Sequence, residues 1–199
     1  HRINIMSSST IFNSRTKSIG SWWSRSPRYD YEFTYDSSVV SEKHKATAIT
    51  LFVVGTAMQP NNYSDLASNC ATGQSMVFVA VDNNPNSMVK TSASQTAAAF
   101  NDIIANITAR LGDIIASNPA IFVGGHSAGG CSAIAAMKVN GGELGFTPAG
   151  CLNADPLGKG RETVPNLRID VPSFSIGFTI ETCSVPPTQA GLAAYNITN

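Results

Sequence analysis

The chain has 199 residues, enough for one well-filled hydrophobic core and too few for two ordinary domains, so a single domain is expected. Hydrophobic residues make up 43% and charged residues only 13%, which excludes a disordered polyampholyte, while 16 Gly and 10 Pro are too few for a collagenous or low-complexity chain. Thirteen Lys plus Arg balance thirteen Asp plus Glu, so no overall field exists to recruit nucleic acid or an anionic membrane, and any partner must be sought at a site.

Residues 1–36 are polar and rich in Ser and Arg, with Trp22-Trp23 and the alternating Tyr29, Tyr31, Phe33 and Tyr35 as their main aromatic groups. They read as an extended leader ending in an edge strand, ahead of a domain over residues 37–199. Glu42-Lys43-His44-Lys45 is a charged turn. The apolar run from Ala48 to Val54 has the length of a buried strand, stopped by Gly55, and falls far short of the roughly 18 residues of a membrane span. After a polar loop from Thr56 to Asn62, a short helix around Tyr63 to Cys70 leads to a second buried strand, Ser75 to Val81, closed by Asp82-Asn83-Asn84-Pro85.

The clearest helix comes next, because Phe100, Ile103, Ile104, Ile107, Leu111, Ile114 and Ile115 recur on one helical face, with Ser92 or Ser94 available as caps. Pro119 is expected to end it. Ile121-Phe122-Val123 then makes a third strand, Ala128 to Asn140 a small-residue helix, Ala149 to Ala154 a fourth strand and Ser173 to Ile180 a fifth. Strands apolar on both faces and separated by helices predict an α/β fold: a mainly parallel sheet with helices on each side.

Chemistry concentrates at Gly125-His126-Ser127-Ala128-Gly129, a G-x-S-x-G motif between a buried strand and a helix. A serine on so tight a turn has its hydroxyl exposed at the carboxyl edge of the sheet, which makes Ser127 the candidate nucleophile. The following amide, of Ala128 at the helix start, points where a tetrahedral oxyanion forms. The second oxyanion donor is expected from the loop after the first buried strand, where Gly55 lets the backbone turn the amide of Thr56, or else Ala57, toward Ser127. The acid is expected after a later strand. Asp155 fits, ending Gly150 to Ala154 with Pro156 behind it; Glu181 is the second choice, and Asp170 sits at the wrong end of the last strand. His126 adjoins the serine, and neighbouring side chains on such a turn diverge, so it takes a supporting role in packing or hydrogen bonding. His44 lies in the charged turn and His1 is terminal, which leaves none of the three histidines placed as general base. Cys70, Cys131, Cys151 and Cys183 lack metal or redox spacing and read as buried thiols or one structural bridge; no metal or organic cofactor is implied.

From about Ala46 to Cys183 these residues resemble the α/β-hydrolase fold, and within it chlorophyllase and related plant-type esterases. The resemblance rests on Gly125-His126-Ser127-Ala128-Gly129-Gly130, then Ala154-Asp155-Pro156-Leu157-Gly158, then Val171-Pro172-Ser173-Phe174. Ala128 replaces the basic residue usual there, and Val54 the histidine of the common His-Gly oxyanion loop. The resemblance implies a serine esterase acting on a small hydrophobic ester such as the phytyl ester of chlorophyll. It also implies that the chain lacks the last strand and the loop carrying the catalytic histidine, which would lie beyond Asn199. The second expectation is a catalytically inactive subunit of this fold, retained for contacts with a protein partner or a pigment-protein complex, with Trp22-Trp23 either packed in the core or forming a contact surface. Family resemblance implies a plastid location; the sequons at Asn62, Asn106 and Asn196, if used, imply a secreted one.

Overall fold

The computed structural model describes residues 11–16, 30–55, 58–82, 93–137, 144–154 and 171–176. Its strands are β1 (Ile11–Thr16), β2 (Tyr31–Asp36), β3 (Ala46–Val53), β4 (Met76–Val81), β5 (Ile115–His126), β6 (Pro148–Ala154) and β7 (Ser173–Ile176). The helices are α1 (Ser64–Ala71), entered through a 3-10 turn at Pro60–Tyr63, α2 (Ala93–Leu111) and α3 (Ala128–Met137). One sheet of seven strands takes the order β1-β2-β4-β3-β5-β6-β7. β1 and β2 pair antiparallel, as do β2 and β4, and every other neighbouring pair is parallel.

The central strands are apolar on both faces because both are covered. On β3 and β4, Ile49, Leu51, Val53, Val77, Val79 and Val81 join Phe100, Ile103 and Ile107 of α2 in the larger core. The alternate residues Phe52, Phe78 and Ala80 pack with Tyr63 and Ala67 on the opposite face. Each fully buried Ile, Val or Phe contributes about 1.5–3 kcal/mol relative to exposure. This is the mainly parallel sheet with helices on both faces that the sequence predicts.

Three expectations change. β2 is not an edge strand: β1, inside the segment read as a leader, pairs along all of it, so β2 has neighbours on both sides. The long helix stops at Leu111 rather than running through Ile115. Gly112 and Asp113 are poor helix residues, and the sheet captures the next two: Ala46 N–H donates to the Ile114 carbonyl at 2.7 Å and Ile115 pairs with Ala46. Pro119 therefore lies within β5 instead of ending a helix. It is tolerated because the ladder shifts there, Ala46 pairing with Ile115 but Ala48 with Ala120, and β6 joins β5 only from Ile121 onward. The expected strand end at residues 177–180 and helix end at 138–140 lie outside the described residues.

A buried carboxylate ties β2 to the turn after α1. Asp36 accepts from the Ser38 amide and hydroxyl at 2.9 and 2.5 Å and from the Gly73 amide at 2.9 Å. The Gly73 amide foremost, and then the Ser38 hydroxyl, hold this carboxyl below the usual aspartate range. A depressed folded value stabilises fully above about 4, the ordinary aspartate value, and that share is lost as pH falls through the lower folded value. Asp36→Asn is expected to lower stability at pH 7 by about 1–2 kcal/mol and to flatten the acid limb of the stability profile, measured by urea unfolding between pH 7 and pH 3.

Candidate active site

The ends of three strands meet at one edge of the sheet. Val53 pairs with Gly125, Gly125 with Asn153, and His126 with Ala154, so the carboxyl ends of β3, β5 and β6 stand level. Ser127 follows at the turn into α3. Among the described residues it is the one non-glycine with positive φ, at 52°. That conformation crowds Cβ against the next carbonyl and costs roughly 1–2 kcal/mol, so the surroundings must hold it. They do so through hydrogen bonds: the Ser127 amide donates to the Ala154 carbonyl at 3.0 Å, and the Ser127 carbonyl accepts from the Cys131 amide at 3.4 Å. The side chain of Ser127 remains partly exposed.

The glycines of the motif serve close approach. A Cβ on Gly129 would fall 2.3 Å from the carbonyl oxygens of both Val53 and Val54, and one on Gly125 2.5 Å from that of Val53. The start of α3 therefore rests directly on the end of β3. Ala128, Gly129 and Gly130 present amides that have no acceptor within the helix, beside the helix's positive end. Ala128 is thus at the helix N-terminus, adjoining Ser127. Thr56 and Ala57, the expected second donors, lie outside the described residues; on either side of them, the Met58 amide donates to the Gly55 carbonyl at 3.2 Å. Asp155, Asp170 and Glu181 lie outside them too; Ala154, immediately before Asp155, is the residue that accepts from Ser127.

His126 takes the supporting role expected of it. Its Nδ1 lies within hydrogen-bond distance of the Tyr63 hydroxyl, at 2.6 Å. Tyr63 was not legible as part of the site. It ends the 3-10 turn that Pro60 opens and the Gln59 amide pins by donating to Asn62 Oδ1 at 2.7 Å. Its ring packs on Phe52 and His126, with centroids 5.6 and 5.8 Å away, and its hydroxyl accepts from the Gly55 amide at 3.1 Å. Burial pushes the phenol up, against a smaller lowering by the Gly55 amide, so at neutral pH it stays a protonated donor. A tyrosine before a short helix carries no sequence signal for such a contact, since His126 lies 63 residues further along the chain.

Beneath the site, Asn153 is fully buried and donates to Cys151 Sγ at 3.0 Å, while its Oδ1 has no partner among the described residues. Burial pushes the Cys151 thiol up to about 11, the Asn153 amide opposing weakly, which keeps it protonated and unreactive. Cys70, Cys131 and Cys151 are thiols; Cys183 is outside the described residues. His44 is exposed in its turn, as expected, and so are the sequon residues Asn62 and Asn106. A cavity of about 400 Å³ lined by Thr47, Thr50, Met76, Phe122 and Leu152 lies toward the amino ends of the strands, away from Ser127. Among the described residues, no group of three or more His, Cys, Asp or Glu could hold a metal ion, and no helix is long and apolar enough to cross a membrane.

A strand, a serine at positive φ and a helix, flanked by two glycines in backbone contact with a neighbouring strand, have the backbone geometry of a nucleophile elbow. Solved structures place it in a class: the protein has the α/β-hydrolase fold. A bacterial heroin esterase superposes with a TM-score of 0.55 at 16% identity, over 73% of this chain and 44% of that one. The hyperthermophilic esterase from the archaeon Pyrobaculum calidifontis gives 0.53 at 15% identity, over 75% and 45%. Carboxyl esterase 2 from the mycorrhizal fungus Tuber melanosporum gives 0.52 at 12% identity, over 73% and 45%. The chain thus spans less than half the length of these structures. No family model and no curated protein sequence matches it.

Proposed function

We propose that the protein is a serine carboxylic ester hydrolase. The observation that carries this reading is Ser127, held at a φ of 52° between the ends of β3 and β6 at the start of α3. In the proposed reaction, Ser127 Oγ attacks the ester carbonyl and loses its proton to a histidine base, which Asp155 orients. The amides of Ala128 and Thr56 hold the oxyanion, the alcohol leaves with the proton returned by the histidine, and water then releases the acid from the acyl-enzyme. The esterases among the similar structures support this assignment of chemistry to the fold. The balance of charge in the chain suits an uncharged, hydrophobic ester, of which the chlorophyll phytyl ester is the one the resemblance implies.

The test is labelling of the full-length protein with a fluorophosphonate, located by mass spectrometry. Labelling is expected on Ser127, and slowed by about 10³–10⁴-fold in Asp155→Asn, where the histidine loses its orienting carboxylate. No labelling of a folded full-length protein would overturn the reading and leave a partner-binding subunit of the same fold as its replacement.

A further inference from the structure

The Tyr63 hydroxyl joins two segments that come from different strands. On one side it accepts from the amide of Gly55, the first residue after β3 and its closing Val54; on the other it meets Nδ1 of His126, the last residue of β5 before Ser127. These are the hydrogen-bond partners of the hydroxyl among the described residues. An oxygen that accepts from a backbone N–H has one proton left to give, so the network assigns the Tyr63 O–H as donor to Nδ1 and places the proton of a neutral His126 on Nε2.

The contact is built into the backbone. A Cβ on Gly55 would fall 2.8 Å from His126 Nδ1 and 3.4 Å from the Tyr63 oxygen, so any larger residue would push the imidazole out of place. The next residue along the loop is Thr56. Val54, just before, is already fixed, its amide donating to the Val81 carbonyl at 2.9 Å. Tyr63 thus supplies the following anchor, at the point where the chain leaves the sheet.

We propose that Tyr63 is a positioning residue, whose hydroxyl ties Gly55, where the chain leaves β3, to the turn that carries Ser127, and so holds the start of the loop from which the second oxyanion donor is proposed. The consequence for rate rests on the esterase reading; the tie itself does not. Removing the hydroxyl lets the loop shift relative to the elbow, and an oxyanion donor that moves by a few tenths of an ångström forfeits part of the 10²–10³-fold that such a donor gives, roughly 10- to 100-fold here.

The experiment uses the full-length protein with p-nitrophenyl butyrate and its thiono analogue, in which sulfur replaces the carbonyl oxygen. Backbone amides bind a developing oxyanion far better than a developing thiolate, so a damaged oxyanion hole slows the ester more than the thionoester, whereas general loosening slows both. Tyr63→Phe is expected to lower kcat by roughly 10- to 100-fold with KM little changed, and to lower the ester-to-thionoester rate ratio by a similar factor. His126→Leu, which removes the acceptor, is expected to do the same, while His126→Asn, which offers an amide oxygen near the position of Nδ1, should restore most of the ratio. Hydrogen exchange across residues 54–59 and 124–131 is expected to quicken in Tyr63→Phe and in His126→Leu. Unchanged ratio and unchanged exchange in folded Tyr63→Phe would overturn the proposal; if that variant does not fold, His126→Leu decides by the same two readouts. A wild-type protein that neither hydrolyses the ester nor labels at Ser127 ends the esterase reading, and exchange alone then judges the tie.

Discussion

Ser127→Ala is expected to lower ester hydrolysis by at least about 10⁴-fold, leaving only the contribution of oxyanion stabilisation and binding without a nucleophile. The same position offers a second measurement, because Ser127 sits at a φ of 52°. Alanine keeps a Cβ and so keeps the crowding of that conformation, whereas glycine has none. Ser127→Gly should therefore be equally inactive and yet more stable than Ser127→Ala, by up to about 1 kcal/mol once the greater freedom of glycine in the unfolded chain is set against the relief. For a chain of this size that is a rise in Tm of about 2–4 °C. Thermal unfolding of the two variants side by side isolates the strain, since catalysis is absent from both. Equal Tm values would show that the turn carries none.

Gly129→Ala is expected to be strongly destabilising. Its Cβ would fall 2.3 Å from two backbone carbonyl oxygens, those of Val53 and Val54. Neither can retreat, because Val53 is paired on one side with Val81 and on the other with Gly125, and the Val54 amide is bonded to the Val81 carbonyl. Relief must come from lifting α3 off the sheet, which opens the packing of Ala133 and Ala136 against the core. The cost is about 3 kcal/mol or more, a fall in Tm on the order of 6–12 °C. Gly145→Ala is the control: there a Cβ would meet only the Asn101 side chain, at 3.4 Å, and stability should move by no more than about 0.5 kcal/mol. Because the lifted helix carries Ala128, whatever Gly129→Ala remains folded should also lose activity.

The elbow is a case where the sequence showed the right residues for part of the reason. Its glycines were legible as turn residues, because G-x-S-x-G between an apolar run and a helix is a local pattern. What makes Gly129 and Gly125 obligatory is the end of β3, more than seventy residues earlier in the chain, pressed against them. Gly124 lies outside the motif and has a similar reason, a Cβ there falling 1.6 Å from the Leu152 carbonyl oxygen of β6. Tyr63 was invisible as a site residue for the same cause: its hydroxyl finds Gly55 and His126 only after β3 and β5 lie side by side. Asp155 and Thr56 stand as proposals from their places in the chain, after β6 and after Gly55.

Sequence alone determined the elements whose signal is local. The alternation of apolar strands with an amphipathic helix, the burial of Phe100, Ile103 and Ile107, and the serine between two glycines all come from spacing within a few residues of each other. Tertiary structure decided everything that depends on which strand lies beside which. It drew Ile115 out of a helical repeat into β5 and bonded the Ile114 carbonyl to β3, covered β2 with β1, made room for Pro119 at a shift in the ladder, and brought Tyr63 to the elbow. Periodicity records only which face of a segment is apolar; the partner that covers it is chosen by hydrogen-bonded pairing across the sheet, between residues that the chain itself keeps far apart.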